Sequence, residues 1–98
     1  MIITLCGSTK FKKEFEEENK RLTLEGNLVL SVGLFNHADD LEISKEEKLL
    51  VDKIHLQKIN LSDAIHVIDV DRYVGDSTKN EIVHASREGK KITYYSKI

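Results

Sequence analysis

AIHVIDV, residues 64–70, alternates apolar with polar side chains and is rich in isoleucine and valine, which predicts a β-strand. The polar segment Asp69–Gly75 then predicts a turn, and the hydroxyls of Ser77 and Thr78 mark the start of a helix. Gly89 marks the end of that helix, and Ile92–Tyr95 predicts the next strand. The segment therefore forms a strand–helix–strand unit, in which the two strands lie parallel.

Glu81 is expected in the first turn of this helix, at the edge of the sheet where open α/β folds bind ligands. Its position allows two interpretations. In the first, Thr78 and Glu81 form a capping box, in which the glutamate accepts a hydrogen bond from a backbone N–H. Ser44 and Glu47 have the same spacing before the previous helix, so the chain could use this device twice. In the second interpretation, the Glu81 carboxylate faces a ligand.

The earlier part of the chain continues the same alternation of strands and helices. Its predicted elements are a strand at Ile2–Cys6, a helix at Thr9–Leu24 that Gly26 ends, a strand at Asn27–Val32, a loop at Gly33–Ile43 and a helix at Lys45–Leu61 that Ser44 caps. The order βαβαβαβ predicts an α/β fold, a small Rossmann-like or flavodoxin-like three-layer sandwich with a four-stranded parallel sheet and three helices. We expect residues 1–98 to form a single domain, because a chain of this length supports one core.

The loops that follow the strands are expected to share one crevice, because parallel strands end at the same edge of a sheet. These loops are Gly7–Lys10, Gly33–Asp40 and Asp69–Thr78. Backbone N–H groups and hydroxyls at helix starts would favour a phosphate there, although Ser8 or Thr9 could equally serve only as a helix cap. The candidate substrate or phosphate contacts are Gly7, Ser8, Thr9, Asp76, Ser77, Thr78 and Lys79.

The composition argues against several classes of partner. Fifteen basic and 17 acidic residues give a net charge of −2 with no block of Lys or Arg, which argues against nucleic-acid binding. The apolar runs are too short for a membrane span, and the N-terminal residues enter a strand directly, so neither a membrane partner nor a signal peptide is expected. The single cysteine, Cys6, cannot form an internal disulfide and suits a reducing compartment, which predicts a cytoplasmic protein.

Two possible reactive clusters are considered and set aside. Cys6 precedes a loop, but the residue six positions on is Lys12, which lacks the bidentate fork that a C-x5-R phosphatase loop needs. His37 lies beside Asp39 and Asp40, and such a loop is more often solvated than metal-bound. We therefore predict neither a metal site nor a cofactor.

The helix at Lys45–Leu61 carries two apolar stripes on nearly opposite sides. One stripe consists of Leu50, Ile54 and Leu61, and the other of Leu49, Leu56 and Ile59. A parallel sheet and a neighbouring helix could bury both. Alternatively, the second stripe forms the interface of a homodimer or a higher homo-oligomer, because a domain this small has few elements to cover it.

Three motifs in this order resemble the nucleoside 2-deoxyribosyltransferase superfamily, which includes the 2′-deoxynucleoside 5′-monophosphate N-glycosidases. They extend over nearly the whole chain. Cys6-Gly7-Ser8 is similar to the phosphate-side motif after the first strand, and Leu61–Ile65 is similar to the small-Asp-apolar entry to the third strand. Glu81, Ile82, Ala85, Gly89 and Lys90 resemble the pattern Glu-apolar-x-x-Ala-x-x-x-Gly-Lys.

The resemblance implies that Glu81 is a nucleophile that attacks the anomeric carbon of a nucleoside or nucleotide. In the family a helix aspartate protonates the leaving base, and His55 stands at that position here, so His55 is the second candidate catalytic residue. Two further departures are Thr4, where the family often has tyrosine, and Ser77–Lys79, where it usually has glycines. Two functions stay open: an N-glycosidase or deoxyribosyltransferase, and a non-catalytic nucleotide-binding or regulatory module on the same fold.

Overall fold

The sheet has four strands in the order β2-β1-β3-β4, and all three pairings are parallel. The computed structural model describes residues 1–97, and the predicted α/β fold with three helices is confirmed. The elements are β1 (Ile2–Gly7), α1 (Lys12–Leu24), β2 (Leu28–Leu30), α2 (Lys45–Leu61), β3 (Ala64–Ile68), α3 (Asp76–Arg87) and β4 (Lys91–Tyr94), with short 3-10 turns at Val70–Arg72 and Tyr95–Lys97.

The helices cover both faces of the sheet, as a three-layer sandwich requires. On one face, α1 packs Phe15 and Leu22 against Ile3, Leu5 and other apolar side chains of β1 and β3. On the opposite face, the core consists of Cys6, Ile59, Ile65, Val67 and Ala85, which come from β1, α2, β3 and α3. The central strand β3 is buried at every position, as a strand covered on both sides should be.

Local signals in the sequence account for three of the six helix ends. Ser44 and Glu47 form the predicted capping box of α2, in which each residue's side chain accepts a hydrogen bond from the other's backbone N–H. Gly26 and Gly89 follow the ends of α1 and α3 with φ of +97° and +70°, a conformation that glycine adopts without strain. The start of α1 differs from the prediction, because the helix begins at Lys12 rather than Thr9.

The two apolar stripes of α2 differ in burial. In the stripe predicted as a possible homodimer interface, Ile59 is fully buried and Leu56 packs against the same core, whereas Leu49 is 70% exposed. The stripe of Leu50, Ile54 and Leu61 is exposed along its whole length, with 41–70% of each residue accessible. The structure therefore leaves both Leu49 and the exposed stripe accessible on α2.

A polar network lies inside the α1 face of the sheet. His66 of β3 bonds through Nε2 to Glu18 of α1 at 2.8 Å and through Nδ1 to Thr93 of β4 at 2.7 Å. Glu18 also accepts two hydrogen bonds from the Arg21 guanidinium. Although burial opposes the charge, these bonds from Arg21 and His66 lower the pKa of Glu18. The network therefore holds a carboxylate in its ionised form between helix and sheet.

Among residues 1–97, none of the helices combines the length and apolar character needed to span a membrane.

Candidate functional site

A crevice of about 240 Å³ lies at the carboxyl edge of the sheet. The three loops predicted to converge there do so, and α2 forms a further wall. The lining residues include Gly7, Ser8, Thr9, Val32, Leu34, His37, Ile43, Lys48, Val51, Asp52, His55, Tyr73, Asp76, Ser77, Thr78 and Glu81. This volume lies slightly below the ~300–1,000 Å³ usual for small-molecule sites, so the crevice suits a ligand of modest size.

Glu81 lies in the second turn of α3, not in the first. The helix begins two residues earlier than the hydroxyls suggested, at Asp76, and its N-cap Gly75 makes no side-chain capping bond. The predicted capping box between Thr78 and Glu81 is therefore absent. Thr78, Glu81 and Ala85 instead share the inner face of α3 at helical spacing, and this turns the Glu81 carboxylate towards the sheet.

The Glu81 carboxylate lies on the floor of the crevice, and its side chain is only 12% exposed. Its Oε1 is 3.9 Å from Nε2 of His55, and Nε2 is in turn 3.5 Å from Sγ of Cys6. Burial raises the pKa of Glu81 from its usual 4.5 to about 7, and the charge of Asp52 acts in the same direction. A hydrogen bond with Cys6 and the charge of Lys48 oppose this rise without cancelling it. Glu81 therefore titrates near neutral pH, as catalytic carboxyl groups often do.

His55 and Cys6, the neighbours of Glu81, are uncharged at neutral pH. Burial and the nearby Lys58 lower the pKa of His55 to about 4, against the opposing effects of a hydrogen bond with the Leu5 backbone and of Asp52. The Cys6 thiol is fully buried, and burial together with the adjacent Glu81 raises its pKa well above the usual value. A thiol in this state is a poor nucleophile, which agrees with setting aside the phosphatase hypothesis.

The segment after β1 contributes its polar groups mainly to its own loop. Ser8 Oγ accepts a weak hydrogen bond from the Lys10 N–H, and Thr9 Oγ1 pairs with Nδ1 of His37 at 2.8 Å. The first turn of α1 starts after Phe11, which makes no side-chain cap. Ser8 and Thr9 line the crevice as predicted, but they are neither caps nor the first residues of the helix.

The segment at the start of α3 lines the crevice with a carboxylate as well as hydroxyls. Asp76, Ser77 and Thr78 are lining residues, whereas Lys79 is exposed and lies outside the crevice. Ser77 Oγ accepts a hydrogen bond from the Lys48 ammonium at 3.2 Å, and that ammonium also binds both carboxylate oxygens of Asp52. A phosphate placed here would meet two aspartates and one lysine.

Several site residues were missed by sequence reasoning. The apolar wall of Val32, Leu34, Ile43 and Val51 comes from a loop and from the side of α2 that also carries His55, and neither has a recognisable motif. Tyr73 also lines the crevice, and its ring receives the Lys10 ammonium 3.7 Å from its centroid. Asp52 could have been found, because it lies one helical turn before His55.

Thr4, where the resembling family often has tyrosine, lies away from the crevice floor. It is fully buried, and its hydroxyl bonds to Ser62 and to the Lys58 carbonyl of α2. Thr4 therefore joins β1 to the end of α2 and offers no group to a ligand.

Comparison of the sequence with protein-family models and with curated proteins finds no match.

Proposed function

We propose that the protein is an N-glycosidase or deoxyribosyltransferase that acts on a nucleoside or its 5′-monophosphate, with Glu81 as the nucleophile. The observation that carries the proposal is the position of Glu81. Its carboxyl group makes no helix-capping bond and is buried on the floor of a ligand-sized crevice. The motif resemblance around Glu81 supports the same reaction.

The reaction proceeds by two displacements. A Glu81 carboxylate oxygen forms a bond to the anomeric carbon while the bond from that carbon to the base nitrogen breaks, and the electron pair leaves with the base, which takes up a proton. Water or a second base then attacks the same carbon and releases the glutamate. Positive charge develops on the sugar in each transition state, and the buried carboxylate stabilises it more strongly than an exposed one would.

The Glu81 pKa of about 7 makes the rate depend on pH. Only the ionised carboxylate is a nucleophile, so about half of the free protein is competent at pH 7. We expect kcat/KM to rise with pH until Glu81 is fully ionised, up to the point at which another group limits the reaction.

His55 is not suited to protonate the leaving base. The His55 imidazole has a pKa of about 4, so it carries no acidic imidazolium proton near neutral pH, and its Nε2 faces Cys6 and Glu81. Asp52 is the carboxyl group of α2 that lines the crevice, and both of its oxygens accept hydrogen bonds from the Lys48 ammonium, so it acts as an acceptor rather than as an acid. Asp52 would thus orient the base by accepting a hydrogen bond while Glu81 attacks the sugar, and the departing base takes its proton from water.

The lining of the crevice suits a flat, partly apolar ligand. Its apolar wall would pack against a base, and its polar floor would face a sugar. The carboxylates of Asp52 and Asp76 weaken the expectation of a phosphate preference, because only Lys48 offsets them within the lining. We therefore expect the nucleoside to bind at least as well as its 5′-monophosphate.

The test is release of free base from a panel of deoxynucleosides, ribonucleosides and their monophosphates. Glu81→Gln should keep the fold and lose cleavage, since an amide is a poor nucleophile. Glu47→Gln is the matched control, because it neutralises the capping glutamate of α2, outside the crevice. Asp52→Asn should lower kcat while leaving the fold unchanged.

Wild-type-like cleavage by Glu81→Gln would disprove the nucleophile assignment. Absence of cleavage by the wild type, together with calorimetric binding of a nucleoside or nucleotide, would favour the binding or regulatory module instead.

A further inference from the structure

Three side chains of types that can bind a metal ion, a thiol, an imidazole and a carboxyl group, meet at the crevice floor. Cys6 comes from the end of β1, His55 from the middle of α2 and Glu81 from α3, so three separate elements bring them together. Their potential ligand atoms all lie within 4.8 Å of one another. Neither Cys6 nor His55 is more than 5% exposed. Among the described residues, no other group of three His, Cys, Asp or Glu side chains has this arrangement.

The sulfur–nitrogen distance matches that of a tetrahedral zinc centre. Zinc lies ~2.3 Å from sulfur and ~2.0 Å from nitrogen or oxygen, so its sulfur and nitrogen ligands are about 3.5 Å apart. The Cys6 Sγ and His55 Nε2 atoms are 3.5 Å apart, and Nε2 is 3.9 Å from the Glu81 Oε1. Nitrogen and oxygen ligands ~2.0 Å from a tetrahedral zinc lie ~3.3 Å apart, so the Glu81 carboxylate would have to move towards His55 by about 0.6 Å to complete the site.

We propose that Cys6, His55 and Glu81 form a binding site for a thiophilic divalent cation, with Zn²⁺ as the reference ion. A thiolate, an imidazole and one carboxylate are the donors that zinc prefers, whereas magnesium and calcium require sites made of oxygen. His55 and Glu81 also line the crevice, so a fourth coordination position opens towards it.

The surroundings of His55 support this assignment. The imidazole makes a hydrogen bond with the Leu5 backbone that favours the charged ring, so the ring is the donor. We assign this bond to Nδ1, because Nε2 faces the other two ligands. A metal-binding histidine commonly donates its second ring N–H to a backbone carbonyl, which directs its free lone pair at the ion.

Zinc binding would oppose the proposed glycosyl transfer, and this consequence rests on that proposed function. The cation displaces the Cys6 thiol proton, and any proton on Glu81, to solvent, and the Glu81 oxygen then donates its electron pair to the metal. A coordinated carboxylate cannot attack the sugar at the same time. Zinc would therefore inhibit cleavage, and removal of zinc by a chelator would restore it.

The test is titration of the metal-free protein with Co²⁺, followed by equilibrium dialysis with Zn²⁺. We expect one equivalent to bind and a thiolate-to-cobalt charge-transfer band to appear. Cys6→Ser should abolish that band and weaken Zn²⁺ binding at least tenfold, and Glu81→Gln should also weaken binding. His84→Asn is the matched control, because it removes an imidazole that bonds to Asn60 outside the crevice.

The proposal is overturned if the wild type shows no thiolate band, or if Zn²⁺ binds Cys6→Ser as tightly as the wild type. The cobalt spectrum of the wild type is decisive even if a variant fails to fold, as judged by circular dichroism. Cleavage measured with a chelator separates the two proposals. Cleavage without metal binding disproves only the metal site, and metal binding without cleavage by the chelated protein disproves only the glycosyl-transfer function.

Discussion

Replacement of Glu81 by glutamine should stabilise the protein at neutral and alkaline pH. The carboxyl group is buried, and burial is the largest cause of the rise in its pKa from 4.5 to about 7. Between these values the folded protein holds a proton that the unfolded chain has already released. The free energy of unfolding that Glu81 contributes therefore falls as the pH rises through this window.

The difference between the two pKa values corresponds to roughly 3 kcal/mol once Glu81 is ionised in both states. Glutamine keeps the length of the side chain but carries no charge, so it avoids this cost. We expect Glu81→Gln to have nearly wild-type stability at pH 4 and to be more stable by roughly 3 kcal/mol at pH 8.

The assay is urea unfolding of both proteins at pH 4, 6 and 8, in the presence of a chelator so that no metal ion binds Glu81. Glu16→Gln, which removes an exposed carboxylate of α1, controls for the change in net charge. A stability difference that does not vary with pH would refute the reasoning, as would a variant less stable than the wild type at pH 8. Combined with lost cleavage, the expected result would identify a site that trades stability for activity.

Three further predictions concern the fold. Gly7→Ala should destabilise the protein by ~1–3 kcal/mol in thermal unfolding. The new Cβ would lie 2.8 Å from the Ile68 carbonyl oxygen, and the φ of Gly7 is +153°. Unchanged stability would contradict this. Glu18→Gln should cost ~2–4 kcal/mol at pH 7. Below pH 4.5 the variant should lose stability less steeply than the wild type as the pH falls, because the lowered pKa of Glu18 stabilises the wild-type fold only while Glu18 is ionised. Acid-unfolding curves that fall equally steeply for both proteins would refute this. For oligomeric state, we expect the wild type to sediment as a dimer and Ile54→Asp as a monomer, and an unaltered dimer would exclude the exposed stripe of α2 as the interface.

Patterns that act locally made the fold predictable from sequence. The bounds of α2 at Lys45–Leu61 match the prediction, because Ser44 and Glu47 form their capping box from neighbouring residues alone. The buried strand at Ala64–Ile68 also follows from its own β-branched residues, but it ends two residues before the predicted end at Val70, where a 3-10 turn begins. Such signals require no knowledge of the rest of the chain.

The candidate site could be predicted only in part, because small shifts decide which way a side chain points. The start of α3 at Asp76, two residues before Thr78, moves Glu81 from a capping position to the crevice floor. Six of the seven predicted contact residues line the crevice, because the strand order brings their loops together. The meeting of Cys6 with His55 depends on which helix covers which face of the sheet, and no local pattern states this.

Cys6 is the single thiol of the chain, and the fold encloses it completely. A thiol reagent in solution can reach it only when β1 separates from α2 and α3. The rate at which Cys6 is labelled therefore reports how often the protein opens, and no probe has to be introduced. A ligand that binds only the closed form, whether a nucleoside in the crevice or a metal ion at its floor, would therefore lower the labelling rate as its occupancy rises.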